Sequence, residues 1–337
     1  MKKHGKLVHT PAFFNSEKAD QNYQPDIGAA FREGIAFGLE NKLAPATLLL
    51  ARGNAHALMM TDLQEDFRDN GRLPVKETNR VVLNTCVRLI NGVVADYYAG
   101  IFFSLDGHHP FHISFDHYWR DSDGWPMDLS KHGKAAILTL VDEVNGLFKA
   151  TAFGPDGPYE IGLYRTPFGV DDSIAYWKHL RRTRQGDIWV FVPHCLLGTD
   201  GANLHPLLVE TIAFACGARD IQPVIIQKGH LYNTDWFGPL EACRPDMVQN
   251  QGVFRDEIIE LMKMFEAIEF SGVAEDFCDY YMKWQTLSKL SGTPYLKKLR
   301  FIQDCTAPII PNAKHVWELN ARAMEEGVKF ILHDEPF

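Results

Sequence analysis

Residues 268–278, IEFSGVAEDFC, combine the two features that decide the fold. The stretch 268–274 is short, apolar and ends in small residues, which is typical of a buried parallel strand. Cys278 follows it at the predicted start of a helix. Strands that alternate with helices in this way build a parallel sheet that is covered on both faces.

The same alternation recurs along most of the chain. Strands are predicted at 55–61, 100–106, 187–193, 221–228, 268–274, 299–304 and 328–332. Helices are predicted at 27–41, 77–98, 206–217, 255–267, from Cys278 onward, and at 312–326. We therefore predict an α/β fold of three layers, in which one parallel, Rossmann-like sheet lies between helices on both faces.

The domain organisation follows from where this alternation is interrupted. Residues 1–50 are predicted to be an N-terminal extension, and residues 51–337 one α/β domain. A segment at about 117–185 is inserted into that domain. Within it, alternating apolar residues and Gly/Pro turns at 137–166 predict β-hairpins. We expect this β-rich insertion to form a lid or an oligomer contact.

Composition narrows the class of function. The 337 residues are 46% hydrophobic and carry a net charge of -9, which disfavours nucleic acid as a partner. No apolar run approaches the roughly 20 residues that cross a bilayer. Six cysteines without a CxxC pair indicate a reducing compartment. We expect a cytoplasmic protein without a membrane partner.

Chemically capable side chains stand at one end of the predicted strands. They are Asp62, Asp106, His194, Lys228 and Cys278, each at or just after the carboxyl end of a different strand. Ligands of open parallel sheets bind outside this end. Chance would scatter such residues over both ends, so their placement predicts an active site here.

Cys278 is the predicted nucleophile. A helix N-terminus can lower the pKa of a thiol and bind an oxyanion. Taken singly, each residue has an ordinary structural interpretation. Cys278 would be a buried structural cysteine, Asp62 a helix cap and Lys228 a solvated residue at a strand end. Together, a cation that favours the thiolate and a carboxylate that carries the proton indicate nucleophilic catalysis.

A metal site is the second hypothesis. Asp106 and His108 are two residues apart at a strand end, His112 follows four residues later, and His194 can arrive from the neighbouring strand. One carboxylate and two imidazoles suit Zn²⁺, with Fe²⁺ or Mn²⁺ as alternatives. On spacing alone, the alternative that these histidines belong to a solvent-exposed, His-rich loop is equally good.

Five motifs occur in a fixed order along the chain. They are Asp62-Leu-Gln-Glu-Asp-Phe67 with Leu73-Pro-Val75, Asp106-Gly-His108 with His112-Ile-Ser-Phe115, PHCLLGTDGANLHP (193–206), Lys228-Gly229, and Gly272-Val-Ala274 to Cys278. In these motifs the chain resembles the nicotinamidases and related cysteine amidohydrolases of the isochorismatase-like superfamily. The resemblance implies the isochorismatase-like hydrolase fold.

The resemblance also implies roles for the residues of the motifs. Cys278 would attack an amide carbonyl and form a thioester with loss of ammonia. Asp62 would shuttle the proton, and Lys228 would hold the thiolate and Asp62 in place. The N–H groups of Ala274 and Cys278 would form the oxyanion hole, and the Val273–Ala274 peptide bond is expected to be cis.

The implied cofactor is a divalent metal, most often zinc, held by Asp106, His108 and His194, with His112 as an additional candidate. Phe67 and Phe191 would line the substrate pocket, where Phe191 replaces the usual Trp.

The implied substrate is a small carboxamide, with nicotinamide as the best single guess. A carbamoyl, ureido or larger aromatic amide substrate is the alternative, and so is a non-catalytic binding protein on the same fold. Vinyl-ether hydrolases of the superfamily lack the cysteine, which counts against that chemistry. Family members are often oligomeric, which leaves a homo-oligomer open.

Overall fold

The computed structural model describes residues 6–166, 170–183, 185–244 and 255–337. Its helices are α1 (Ile27–Glu40), α2 (Ala46–Arg52), α3 (Thr78–Val94), α4 (Val170–Arg182), α5 (Pro206–Arg219), α6 (Asp256–Lys263), α7 (Cys278–Leu290) and α8 (Lys314–Glu325). Its strands are β1 (His56–Thr61), β2 (Tyr98–Asp106), β3 (Ala135–Asp142), β4 (Leu147–Gly154), β5 (Gly157–Tyr164), β6 (Ile188–Phe191), β7 (Val224–Lys228), β8 (Ala267–Val273), β9 (Leu299–Ala307) and β10 (Lys329–Ile331).

A six-stranded parallel sheet in the order β10-β9-β8-β1-β2-β7 forms the centre of the molecule. Every residue of β1 and β8 is buried, as expected of central strands that are covered on both faces. Helix α3 packs against β2, β8 and β9, and α7 packs against β1 and β8. The predicted α/β fold is confirmed.

The register of the sheet brings the predicted functional side chains to one edge. Thr61 pairs with Gly272, so Asp62 follows β1 beside the end of β8. Asp106 pairs with Lys228, which closes β7. The carboxyl ends of four strands therefore meet where ligands of such sheets bind.

A second sheet, in the order β5-β4-β3-β6, is antiparallel. One of its faces is buried in a separate apolar core that includes Leu138, Phe148, Ala150 and Val190. The predicted β-rich insertion is thus confirmed as an antiparallel sheet. Its boundaries at about 117–185, and the division of the chain at residue 50, stay predictions.

One strand assignment was wrong. The stretch 187–193 was predicted as the third strand of the parallel sheet, but β6 pairs antiparallel with β3, with Ala135 opposite Phe191. Ile188 and Val190 fill the apolar core of the second sheet, which explains why β6 belongs there. His194 therefore does not follow a strand of the parallel sheet.

The first helix is packed tightly onto the α/β body. Helix α1 crosses α5 so closely that a Cβ added to Gly34 would lie 2.2 Å from the carbonyl oxygen of Phe214. Glycine permits this approach because it has no side chain. No helix in the described ranges has the length and apolar character that a membrane span requires.

Candidate active site

Lys228 joins the three side chains predicted to carry the reaction. Its Nζ atom lies 2.9 Å from Oδ2 of Asp62, 3.1 Å from Oδ1 of Asp106 and 3.6 Å from Sγ of Cys278. Lys228 and both carboxylates are almost fully buried. The structure therefore places one ammonium between the predicted nucleophile, the predicted base and a predicted metal ligand.

Asp62 directly follows the last residue of β1. Its backbone adopts the left-handed conformation, with φ of 49°, which is uncommon outside glycine and is found at functional sites. The hydroxyl of Ser104 donates to Oδ1 at 2.5 Å. Burial raises the pKa of Asp62 and the Lys228 charge opposes that rise. A carboxylate with a raised pKa is a stronger base than an exposed one.

The thiol of Cys278 departs from the prediction in one respect. A lowered thiol pKa was expected at the start of α7, but burial raises the pKa of Cys278 well above its ordinary value, with Lys228 opposing the shift. Desolvation disfavours the thiolate more than one cation favours it. The thiol is therefore neutral at rest, and a base must remove its proton when it attacks.

The turn between β8 and α7 carries the two backbone N–H groups that were predicted to form the oxyanion hole. The Val273–Ala274 peptide bond is cis, as expected. The carbonyl of Ala274 accepts hydrogen bonds from the N–H groups of Phe277 and Asp279. Among the hydrogen bonds of the described residues, none uses the N–H of Ala274 or of Cys278 as donor. Both remain available to an oxyanion.

The predicted metal ligands also come together. Asp106, His108 and His194 each offer one ligand atom, and these atoms lie within 4.8 Å of one another. Nε2 of His108 is 2.9 Å and Nε2 of His194 is 3.8 Å from Oδ2 of Asp106. All three side chains are buried.

The donor set fits a divalent cation. Nδ1 of His108 lies 3.1 Å from the carbonyl of Gly229, and Nδ1 of His194 lies 2.9 Å from that of Val192. A ring that donates its Nδ1–H to a carbonyl keeps the lone pair on Nε2, the usual state of a histidine ligand. A lone pair facing a carboxylate calls for a cation or a proton between them.

His194 reaches the cluster by a route that the sequence did not reveal. The chain after β6 docks onto the loop after β2, because the N–H of His108 donates to the carbonyl of Cys195 and the N–H of Leu197 donates to that of His108. Burial, followed by the charge of His108, lowers the pKa of His194 to about 4. A neutral imidazole is the form that ligates metals.

Two further polar residues flank the cluster. His112, the additional metal candidate, is fully buried, and it groups with His108 and Asp235 within 4.8 Å. Asp235 was not predicted from the sequence, although an acidic residue directly before two aromatic residues, in DWF, could have indicated a buried carboxylate. Burial raises the pKa of Asp235, but the charges of His112 and His108 outweigh it and leave the pKa lowered.

The cavity in front of Cys278 has mainly apolar walls. Phe67 and Phe191 line it, where the sequence placed them. The remaining apolar lining residues are Leu73, Val75, Trp236, Phe237, Ala274, Phe277 and Ile309. Of the described residues that line this cavity, Lys228 alone is a lysine or arginine. Its charge is already paired with two carboxylates.

Comparisons with known proteins give matches among solved structures alone. No protein-family model matches the chain, and no curated protein matches it. It is similar to the yeast nicotinamidase bound to the inhibitor nicotinaldehyde (17% identity over 82% of this chain and 99% of that chain, TM-score 0.49). It is also similar to a pyrazinamidase of Pyrococcus horikoshii in complex with zinc (16% identity, 82% and 98%, TM-score 0.44).

A third similar structure is the N-carbamoylsarcosine amidase of Thermoplasma acidophilum (13% identity, 84% of this chain and 98% of that chain, TM-score 0.40). At these identities the similarity concerns the fold.

Proposed function

We propose that this protein is a metal-containing cysteine amidohydrolase that converts a small carboxamide to a carboxylate and ammonia, with nicotinamide as the best single substrate. One observation carries the proposal. The Lys228 ammonium contacts Asp62, Asp106 and Cys278 at once, so a thiol, a base and a metal ligand share one buried cation.

The reaction proceeds through a thioester. Asp62 accepts the proton of the Cys278 thiol as sulfur attacks the amide carbon, and the N–H groups of Ala274 and Cys278 stabilise the oxyanion. Asp62 then returns the proton to the departing nitrogen, which leaves as ammonia. Water, deprotonated by Asp62, attacks the thioester, releases the carboxylate and restores the thiol.

Asp106, His108 and His194 would hold the divalent metal, with His112 as an additional candidate. A bound cation would supply a positively charged contact that orients a heteroatom of the substrate. The neighbouring side chains fix the ligands, since the side chain of Gln64 donates to the carbonyl of Asp106 and accepts from its N–H, both at 2.7 Å. Such support keeps ligand geometry constant.

The walls of the cavity favour an uncharged, planar substrate. Aromatic rings such as Phe67, Phe191 and Trp236 stack well on a flat ring. A substrate with its own carboxylate needs a free cation, and Lys228 already pairs with two acids. A larger aromatic amide, or an uncharged carbamoyl or ureido compound, fits the same walls and is the alternative substrate class.

Ammonia release from a panel of amides tests the reaction. We expect the wild type to hydrolyse nicotinamide or a related aromatic amide, and Cys278→Ala to be inactive. Cys216→Ala is the matched control, because it removes a partly exposed cysteine of α5, an element that contributes no lining residue to the cavity. Unchanged activity of Cys278→Ala would rule out the proposed nucleophile, and an aromatic binding protein without hydrolysis would support the non-catalytic alternative.

Metal analysis tests the second part of the proposal. Purified wild type should hold about one divalent ion per chain, and His108→Ala should lose it, because one of three protein ligands is removed. His56→Phe is the control, since His56 is also a buried histidine but lies at the opposite end of β1. Full occupancy in His108→Ala would contradict the assigned ligands.

A further inference from the structure

The connection between β9 and α8 contains an unusual arrangement of backbone donors. Pro308 and Pro311 flank Ile309 and Ile310. Proline has no N–H, so Ile309 and Ile310 carry the only backbone donors of this four-residue stretch. Both donate to one side chain: the N–H of Ile309 to Oδ1 of Asp276 at 2.8 Å, and that of Ile310 to Oδ2 at 2.7 Å.

Asp276 stands in the segment that carries the nucleophile. It lies two residues after Ala274 and two before Cys278, and it is only 2% exposed. Two further bonds fasten the same connection to this segment. The N–H of Glu275 donates to the carbonyl of Ala307 at 2.9 Å, and Nε2 of His315 lies 2.8 Å from the carbonyl of Asp276.

Ile309 is the residue of this connection that lines the cavity. It lines the cavity together with Cys278, Phe277 and Ala274, and it is 36% exposed, so it forms part of the rim. The hydrogen bonds from Ile309 and Ile310 to the carboxylate of Asp276 join the backbone of this rim residue to the nucleophile segment. Hydrogen bonds to a carboxylate are strong and directional, so they restrict where Ile309 lies.

We propose that Asp276 is a positioning residue for substrate binding, which ties the β9–α8 connection to the nucleophile segment and so holds Ile309 as the wall of the cavity over Cys278. The proposal rests on the proposed amidohydrolase function. Asp276 has no place in the proton transfers of that reaction. Its contribution is to the affinity for substrate and to the shielding of the thiol.

A double-mutant cycle on steady-state kinetics tests this role. Asp276→Ala releases the two N–H groups of the connection, and we expect KM for the amide to rise about tenfold while kcat stays within about twofold. Ile309→Ala removes the wall itself and should raise KM by a similar factor. Because Asp276 acts through Ile309, Asp276→Ala should add no more than about twofold in the Ile309→Ala background.

Two results would overturn the proposal: an unchanged KM in Asp276→Ala, whether or not kcat falls, or additive effects on KM in the double variant. Asp304→Ala is the matched control, since Asp304 also accepts a backbone N–H, that of His333, but lines no part of this cavity. It should leave KM unchanged. Asp276→Asn, which keeps one acceptor and the side-chain volume, should fall between wild type and Asp276→Ala and serves if the alanine variant does not fold.

A second readout needs no substrate. The rate at which iodoacetamide alkylates Cys278, followed by peptide mass spectrometry, should rise about fivefold in Asp276→Ala because the wall over the thiol is loosened. It should rise no further when Ile309→Ala is already present. If the wild type hydrolyses no amide, the proposed function fails, and the alkylation rate alone tests the positioning role of Asp276. An unchanged alkylation rate in Asp276→Ala would then overturn that role.

Discussion

The central sheet holds a buried charge cluster at each end of its strands, and the two clusters are built differently. The amino-end cluster consists of Glu269, Arg88, Tyr97 and Tyr98. The carboxyl-end cluster consists of Asp62, Asp106, Lys228 and Cys278. Strand β2 contributes to both clusters, with Tyr98 at its start and Asp106 at its end.

The amino-end cluster is fully satisfied. Nε and Nη2 of Arg88 each donate to Glu269 at 2.8 Å, and the hydroxyls of Tyr97 and Tyr98 donate to the same carboxylate. Burial raises the pKa of Glu269, yet these bonds to Arg88 outweigh it and leave the pKa lowered. A buried ion pair with every bond made fixes structure.

The carboxyl-end cluster has an open side. Lys228 is one cation for two carboxylates, and the cluster borders a cavity lined by Asp106, Lys228 and Cys278. For Asp62 and Cys278 the effect of burial exceeds the opposing effect of the Lys228 charge, so both pKa values are raised. Incomplete pairing of buried charge therefore marks the carboxyl end of the sheet as the candidate reactive site.

Replacing the cation of each cluster should give the largest contrast. Lys228→Met removes the ammonium that Asp62 and Asp106 share, so we expect a loss of about 3–5 kcal/mol in the free energy of unfolding. Amide hydrolysis should fall by about 10³-fold, since the charges that support the attack are displaced. Urea denaturation and ammonia release measure both effects.

Arg88→Met provides the comparison. It should lower the free energy of unfolding by a similar amount, about 3–5 kcal/mol, because the buried Glu269 loses its two-bond partner and keeps Arg300, at 3.6 Å, as a cation. Its folded fraction should hydrolyse the amide at the wild-type rate within about twofold. A large loss of kcat in folded Arg88→Met would erase the distinction between the two clusters.

Replacing one carboxylate of each cluster with an amide compares the same two clusters in a second way. Asp62→Asn should reduce kcat by about 10³-fold, because the base is lost. It should leave the free energy of unfolding unchanged or raise it by about 1 kcal/mol, since the ionised form of Asp62 is disfavoured by burial. Glu269→Gln should do the reverse, with lower stability and unchanged kcat. Thermal unfolding measures the change in stability, and steady-state kinetics measure the change in kcat. A strongly destabilised Asp62→Asn would contradict this prediction.

The smallest effect concerns pH at the amino end. Burial, then the charge of Arg300, lowers the pKa of His56 from 6.5 to about 4. Between these values the unfolded chain binds a proton that the native state does not, so stability falls as the pH drops from 7 to 5. The expected contribution of His56 is about 2 kcal/mol.

Urea titrations at pH 7 and pH 5 isolate that contribution when His56→Phe is compared with wild type. Phe keeps the ring that stacks on Tyr97 and cannot titrate. The variant should lose about 2 kcal/mol less than wild type over this range. Equal losses in the two proteins would show that His56 is not responsible.

Much of the fold and of the site could be predicted because both follow from strand ends. Asp62, Asp106 and Lys228 stand at the carboxyl ends of apolar runs, and Cys278 begins the helix after another. Parallel strands share one carboxyl edge, so position along the chain translates directly into proximity in space.

What could not be predicted depends on packing between distant segments. β6 was assigned to the wrong sheet because a short apolar run has the same pattern in either sheet. The pKa direction of Cys278 was missed because the depth of burial is a tertiary property. Asp235 and Ile309 come from connections between elements, whose path the periodicity of a sequence does not encode.

Trapping the acyl-enzyme is the most direct test of the central claim, that Cys278 attacks the amide carbon. The protein is mixed with nicotinamide, or with the best amide of the panel, quenched in acid during turnover and digested for mass spectrometry. We predict an acyl group on the Cys278 peptide that hydroxylamine removes and that Cys278→Ala lacks. Turnover with ammonia release but no adduct on Cys278, or an adduct on another residue, would contradict the account.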